Sequence, residues 1–378
     1  RSKGKYKIYG KGLGSFYCKK NTKLDFGNSG TAIRLLGFGL CSTNPNLQIK
    51  LTGDKSLKKR SMNKIMKAVE NFGTTFFPKN KFKLPITLIS SELPTGFSFN
   101  NGLSSQIKSA IMLGALNSFG KTFITEKIKS RDHTERILKQ SLNSLKIQKG
   151  KKNIIEINGK ESLKPFKLYI PNDPSTASFY AALCLLNNNS KIVLKRVHIN
   201  PTRIGFYNIL KKYNGKIIFK NKKIKGNEVV ADIHVKSSKV KPLKVEAKYF
   251  VTCQDEFPIM FAIACILPGI SIFKGIGDLI NKESNRIKEM KSICSQIGIK
   301  TKSSKSEMKI YGNPNLNFKK KKIKVSGVYD HRILMSAAIL SLLTGIKSEL
   351  KNFEQVGTSC PNFLTTISKL GGKFEKKN

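Results

Sequence analysis

LDFGNSGTAIRLL, Leu24 to Leu36, sets a glycine, a short polar run and a second glycine directly before an apolar segment. This order predicts a loop that feeds backbone N–H groups into a helix start, where an anion can sit. The start is not alone. Four further polar turns open helices that are apolar nearly all round: SSQIKSAIMLGAL from Ser104, DPSTASFYAALCLL from Asp173, DEFPIMFAIACIL from Asp255 and DHRILMSAAILSLL from Asp330. A helix apolar on every side is expected to be buried on every side.

Each of these helices leads into a short strand-like run, such as KTFITEKI, KIVLKRVHI or SELKNFEQV. A second helix follows, with one apolar stripe only. In MNKIMKAVENF the stripe is Met62, Ile65, Met66, Val69 and Phe72; in RIKEMKSICSQI it is Ile287, Met290, Ile293, Cys294 and Ile297. Spacings of three and four residues mark a surface helix resting on a core. Two β-type runs come next, for example NIIEING and FKLYI. The unit therefore reads β-α-β-α-β-β, and it recurs nearly five times.

KIYG occurs at Lys7–Gly10 and again at Lys309–Gly312, each about twenty residues before a buried-helix start. The chain is accordingly expected to begin within the closing strands of a sixth unit, and to stop before the fifth unit's own strand pair. It does not begin with Met, so its start is expected upstream of Arg1. Six units predict an α/β (α+β) fold of two domains, each with three βαβαββ units and buried helices in pseudo-threefold packing. The expected domains are 1–171 and 172–378, with the crossing near YIPNDP.

Composition narrows the function. The chain has 378 residues, 39% of them hydrophobic, enough for two cores. No apolar run reaches eighteen residues, and no secretory core stands near Arg1. A cytoplasmic location follows as the expectation, and seven cysteines without a CxxC pair read as buried thiols in a reducing compartment. Four dispersed histidines suggest no metal site, and no cofactor is expected. The net charge of +47 points first to nucleic acid. Yet the lysines are scattered through every segment, and no aromatic ribonucleoprotein box or zinc-finger spacing accompanies them. Compositional drift is the preferred reading, and the dense run Lys319–Lys322 is expected to be a solvated loop or edge strand.

The arginines are more telling. Lysine outnumbers arginine 61 to 9, so an arginine that persists is enriched where a planar, bidentate fork is needed. Arg34, Arg60, Arg131, Arg286 and Arg332 all fall at or beside the polar starts. Taken singly, each polar residue has a plain structural reading: Asn28, Ser29, Ser104 and Ser105 as helix caps, Asp255–Glu256 as an acidic first turn, His331 as a core histidine. Repetition at equivalent places favours an anionic substrate, with the helix starts lining the gap between the domains. No Walker lysine motif and no GxGxxG follow a strand.

LDFGNSGTAIRLL, LTGDKSLKKR, LSSQIKSA, SRDHTERIL, NKESNRI, YDHRILMSAAIL and TSCPNF, in that order from about residue 7 to 372, resemble the EPSP synthase (3-phosphoshikimate 1-carboxyvinyltransferase) family. The resemblance implies the two-domain enolpyruvyl transferase fold and transfer, without metal or cofactor, of the enolpyruvyl group of phosphoenolpyruvate to the 5-hydroxyl of shikimate 3-phosphate. It implies that Asn28, Gly30, Thr31, Arg60, Gln106, Arg286 and Arg332 hold phosphoenolpyruvate. Ser104, Ser105, Gln106, Ser130, Arg131, Asp255 and Lys282 are implied to hold shikimate 3-phosphate. Asp255 matches the residue that orients and deprotonates the hydroxyl, and Glu283 the acid that addresses the methylene carbon. The implied partners are these two small molecules, with no nucleic acid and no membrane, and the chain is expected to be a monomer.

Some positions depart from the family pattern. Its Lys-Ser-Arg segment would precede Arg1, so the chain as given is expected to be weakly active or inactive. Ser61 stands where proline is usual, Asn285 where aspartate is usual, and Thr358 where some relatives carry lysine. Gly30 leaves room for glyphosate, so sensitivity of the complete enzyme is implied. Two rivals remain: the sister transferase that acts on UDP-N-acetylglucosamine, disfavoured by SRDHTE and KESNR, and a basic RNA-binding or RNA-end-processing protein of related fold.

Overall fold

The structure, a computed structural model, describes residues 4–318 and 321–376. Its contacts divide the chain into two compact units, Arg1–Leu168 and Tyr169–Asn378. Each has its own apolar core.

One topology recurs. In the first unit, strands Thr22–Asp25, Gln48–Thr52, Thr75–Phe77 and Ile86–Ile89 form a sheet in the spatial order first, second, fourth, third. The first pair is parallel and the other two pairs are antiparallel. Strands Ser98–Asn101, Lys121–Glu126, Lys146–Gln148 and Asn153–Asn158 repeat that order and those directions. So do Lys244–Val245, Gly269–Lys274, Thr301–Ser303 and Glu307–Gly312 in the second unit. A three-stranded sheet of Lys191–His198, Lys216–Lys225 and Glu228–Lys236 lacks the first strand, keeping only a parallel bridge from Asn172 to Val197. Lys322–Val325 and Lys347–Leu350 form a parallel pair equivalent to the first two strands. The βαβαββ reading of the sequence thus describes the fold.

The helices divide as their patterns require. Phe257–Cys265 is buried at every residue, and Pro174–Leu186 and His331–Thr344 nearly so; the three pack on one another. In the first unit, the helical stretch from Gly30 to Thr43 packs on Ser105–Ala115. A side chain at Gly39 would meet the Ala110 carbonyl at 2.9 Å, so the glycine lets the two backbones approach closely. The single-stripe helices lie over the cores: Met62, Ile65, Met66, Val69 and Phe72 are buried, as are Ile287, Met290, Ile293, Cys294 and Ile297.

Three strand expectations fail. Lys7–Gly10 forms no strand, and Tyr6, Ile8 and Tyr9 stand exposed. Phe166–Ile170 is likewise irregular and exposed; the closing strands of that unit are Lys146–Gln148 and Asn153–Asn158. Alternation permits a strand, but only a neighbouring ladder makes one. Within SELKNFEQV the strand ends at Leu350, because Asn352 turns the backbone left-handed at φ 61°. Lys319 and Lys320 lie outside the described residues, while Lys322 opens an exposed strand end. The seven cysteines are free thiols, and all but Cys18 are buried. Among the described residues no helix is long and apolar enough to cross a membrane.

Candidate active site

On the first unit, the opening helix begins as one α-turn, Gly30–Ala32, and widens into a π-helical stretch, Ile33–Leu40. Such stretches are rare and recur at functional sites. The Ser29 hydroxyl accepts from the Ala32 amide at 3.0 Å, so Ser29 is the cap. Asn28 is not a cap: its amide donates to Asp54 at 2.8 Å, and its carbonyl oxygen accepts from the Arg60 guanidinium at 3.2 Å. Asp54 in turn caps Lys55–Lys59, the short helix that Arg60 terminates. Arg34 donates to the Gly30 carbonyl and to Gln106, each at 3.0 Å, and Gln106 donates to the Thr31 hydroxyl at 2.8 Å. Two hydrogen-bonded groups result, one of Asn28, Asp54 and Arg60 and one of Gly30, Thr31, Arg34 and Gln106. Two guanidinium groups lie over Gly30, each with a terminal nitrogen 2.7 Å from where a β-carbon would stand.

Ser104 caps Ser105–Ala115, accepting from the Ile107 amide at 3.3 Å. Ser130 lies in the turn after strand Lys121–Glu126, completely buried, and donates its hydroxyl to Glu126 at 2.6 Å. Arg131 follows it, half-buried. The sequence reading missed Asp54, which organises Asn28, and Glu126, which holds Ser130.

On the second unit, the centre is Arg286, 1% exposed. Its Nε donates to Asp330 at 2.9 Å, one terminal nitrogen reaches Glu283 at 2.6 Å, and the other lies 3.6 Å from Asp255. Burial works against this charge, and the carboxylates of Asp330, Glu283 and Asp255 overcome it, so the guanidinium stays ionised. Asp330 is wholly buried; it also accepts from Ser284 and, as helix cap, from the Arg332 amide at 2.9 Å. Lys282 donates to Gln254 at 2.6 Å. Burial pushes its ammonium below the usual lysine range; Asp255 opposes that, and Arg286 adds to it.

Arg332, 8% exposed, lies over the Phe179 ring at 5.9 Å. Asp173 caps Pro174–Leu186 and pairs with Arg203 at 2.8 Å. Crowding by protein opposes ionisation of Asp173, but Arg203 and Arg332 outweigh it and hold its carboxyl at about 2. Glu256, beside Asp255, is wholly buried; burial and the Asp255 charge both raise its carboxyl. Burial also brings the His331 imidazole down to about 4, with Arg332 adding to the effect, so the ring is neutral at pH 7. Sequence reasoning placed Asp330 at a helix start without a role, and overlooked Arg203, although its rarity as an arginine was a usable signal.

The residues expected at the site therefore gather in two sets, one per unit, each rich in guanidinium groups held by carboxylates or amides. The model of EPSP synthase (3-phosphoshikimate 1-carboxyvinyltransferase) matches residues 2–367 of the chain. The chain belongs to the EPSP synthase family. A 3-phosphoshikimate 1-carboxyvinyltransferase of Zymomonas mobilis is 34% identical over 378 residues, covering 99% of this chain and 83% of the relative. Among solved structures, EPSP synthase from Acinetobacter baumannii superposes with a TM-score of 0.77 at 30% identity, over 94% of this chain and 80% of that one. The enolpyruvyl transferase NikO from Streptomyces tendae, at 12% identity and a TM-score of 0.61, covers 82% of this chain and 71% of its own and shares the fold.

The departures from the family pattern have local accounts. Asn285, in place of aspartate, still caps Arg286–Gln296 by accepting from the Lys288 amide at 3.0 Å. Ser61 accepts from the Asn63 amide at 3.3 Å, at the entry to the next helix. Thr358 is exposed and donates to the Gln355 carbonyl at 2.7 Å.

Proposed function

We propose that this protein transfers the enolpyruvyl group of phosphoenolpyruvate to the 5-hydroxyl of shikimate 3-phosphate, as its family membership implies. Arg60, supported by Asn28, Gly30, Thr31 and Gln106 on the first unit, and Arg286 and Arg332 on the second, are the proposed ligands of phosphoenolpyruvate. Ser104, Ser105, Gln106, Ser130 and Arg131 on the first unit, with Asp255 and Lys282 on the second, are the proposed ligands of shikimate 3-phosphate.

Transfer requires the 5-hydroxyl oxygen to bond to the enol carbon while its proton leaves and a proton is added to the methylene. Asp255 takes the first role and Glu283 the second. Elimination reverses both: phosphate departs, a methyl proton returns to a base, and the enol double bond re-forms. The observation that carries this reading is Arg286, whose guanidinium has Asp255 on one terminal nitrogen and Glu283 on the other. The cation between them holds both carboxylates in place, and it offers positive charge to the anionic intermediate.

The test is phosphate release and mass-spectrometric detection of the enolpyruvyl product from the two substrates. UDP-N-acetylglucosamine in place of shikimate 3-phosphate is expected to yield nothing, and product from it would overturn the assignment. Glu283→Gln is expected to lower turnover by far more than it changes either substrate's affinity. A change in affinity alone would remove the acid role.

A further inference from the structure

Lys108 sits in the middle of an apolar helix, Ser105–Ala115, and is 0% exposed. Its ammonium donates to Glu135 at 2.6 Å and to Glu126 at 3.1 Å; both carboxylates are themselves buried. Removing three ionisable groups from water is costly, and apolar side chains of similar volume commonly give equal or better stability. What these groups add is fixed geometry, and here that geometry is informative.

Glu126 closes strand Lys121–Glu126. One of its oxygens takes Lys108, and the other accepts from Ser130 Oγ at 2.6 Å, the Ser130 amide at 3.4 Å and the Asn101 side-chain amide at 3.1 Å. Asn101 ends the strand that leads into Ser104, and Lys108 lies one turn beyond Ser104 and Ser105. Glu135 lies in helix His133–Leu138, which follows Arg131. Every segment bearing a first-unit ligand proposed for shikimate 3-phosphate is thus tied to this cluster.

We infer that Lys108, Glu126 and Glu135 form a positioning clamp that locks the Ser130–Arg131 turn against the Ser104–Ser105 helix start, setting affinity for shikimate 3-phosphate and not for phosphoenolpyruvate. The inference rests on the substrate assignment above. None of the three is a catalytic residue; they act through Ser130, Asn101 and the helix that carries Ser104.

Lys108→Met alone strands two buried carboxylates and endangers folding. The decisive variant therefore removes every charge together: Lys108→Met with Glu126→Leu and Glu135→Gln, a change that spares the core but takes the acceptor from Ser130 and Asn101. Its KM for shikimate 3-phosphate is expected to rise about 10-fold or more, with KM for phosphoenolpyruvate moving less than about 3-fold. Glu126→Gln, which keeps an acceptor for Ser130, is expected to lie between this variant and the parent. A folded charge-free variant with the parent's KM for shikimate 3-phosphate, or with both constants raised alike, overturns the clamp. Hydrogen exchange gives a reading independent of catalysis. Amides from Ser130 to Thr134 and from Ser105 to Lys108 are expected to exchange at least about 10-fold faster in the charge-free variant, with those of Gln48–Thr52 unchanged. Unchanged protection refutes the clamp. A parent protein that ignores shikimate 3-phosphate refutes the substrate assignment instead, and the exchange result still decides whether the clamp exists.

Discussion

Replacing Gly30 with alanine tests the first unit's share of the site at one atom. The added methyl carbon would stand 2.7 Å from a terminal nitrogen of Arg34 and 2.7 Å from one of Arg60, where ordinary contact begins near 3.4 Å. Each guanidinium must therefore withdraw by about 0.7 Å. Both are the far ends of flexible side chains, so the fold can yield. Their hydrogen bonds cannot follow. The Arg60 bond to Asn28 is already 3.2 Å, and the Arg34 bonds to Gln106 and Gly30 are 3.0 Å.

A displaced Arg60 guanidinium would forfeit the charge-assisted hydrogen bond proposed for it to phosphoenolpyruvate, worth about 1.5–3 kcal/mol. That corresponds to a rise of roughly 10- to 100-fold in KM for phosphoenolpyruvate. Stability moves little, because alanine is favoured over glycine in a helix by about 0.5–1 kcal/mol, which offsets part of the crowding. Gly30 does not adopt a left-handed backbone, so no conformational strain enters. Steady-state kinetics with each substrate varied in turn, beside a thermal melt, provide the assay. A thermal midpoint lowered by many degrees with KM for phosphoenolpyruvate within 2-fold of the parent would show that Gly30 serves packing and that the reasoning is wrong.

Other outcomes follow from the same geometry. Arg332→Lys keeps the charge but loses the planar fork, and is expected to weaken phosphoenolpyruvate use by about 10-fold or more; parental kinetics would remove that role. The neutral His331, with its imidazole at about 4 against about 6.5 when unfolded, costs nothing above pH 6.5. As pH falls from there toward 4 the unfolded chain takes up a proton that the folded one refuses, and up to about 3 kcal/mol of stability is lost. The parent's denaturation midpoint should thus drop more between pH 7 and 4.5 than that of His331→Gln; equal drops would refute the shift. Lysines stand directly opposite one another on several sheets, as in the row Lys191, Lys236 and Lys216 and the pairs Lys23–Lys50, Lys302–Lys309 and Lys322–Lys347. Like charges in register repel, so raising NaCl from about 20 to about 200 mM should raise the melting temperature by about 3 °C or more. A fall would mean that attractive pairs dominate.

The sequence was legible where a pattern is local. A buried helix writes an unbroken apolar run and a surface helix writes a stripe, so both kinds could be assigned from periodicity. Strands were harder, since Lys7–Gly10 and Phe166–Ile170 alternate as strands do yet have no ladder to join. The π-helical widening after Ala32 leaves no mark that an α-helix would not also leave. Partners distant in sequence were invisible. Nothing local marks Lys108, because its carboxylates are 18 and 27 residues away. Asp54 lies 26 residues from Asn28, and Asp330 lies 44 from Arg286. Arginine scarcity singled out the cations proposed for the site, but their anchoring acids blend into ordinary helix starts.

Repetition then separates structural polar residues from those available for chemistry. Four of the five buried-helix starts are capped by their own side chain: Ser29, Ser104, Asp173 and Asp330 each accept from an amide in the first turn. The fifth breaks the rule. At Phe257–Cys265 the cap position is Glu256, which makes no side-chain capping bond, and Pro258 removes one amide that would need a partner. Asp255, one residue earlier, is instead paired with Arg286 from a different helix. An acid at a helix start ordinarily satisfies that start's amides. Proline alone does not set this start apart, since Pro174 opens the helix that Asp173 caps; what differs is that the Asp255 carboxylate is drawn to Arg286, and this start carries the residue proposed to take the hydroxyl proton. The same repeat that builds the scaffold thus marks, by its one start without a side-chain cap, where the proposed base is placed.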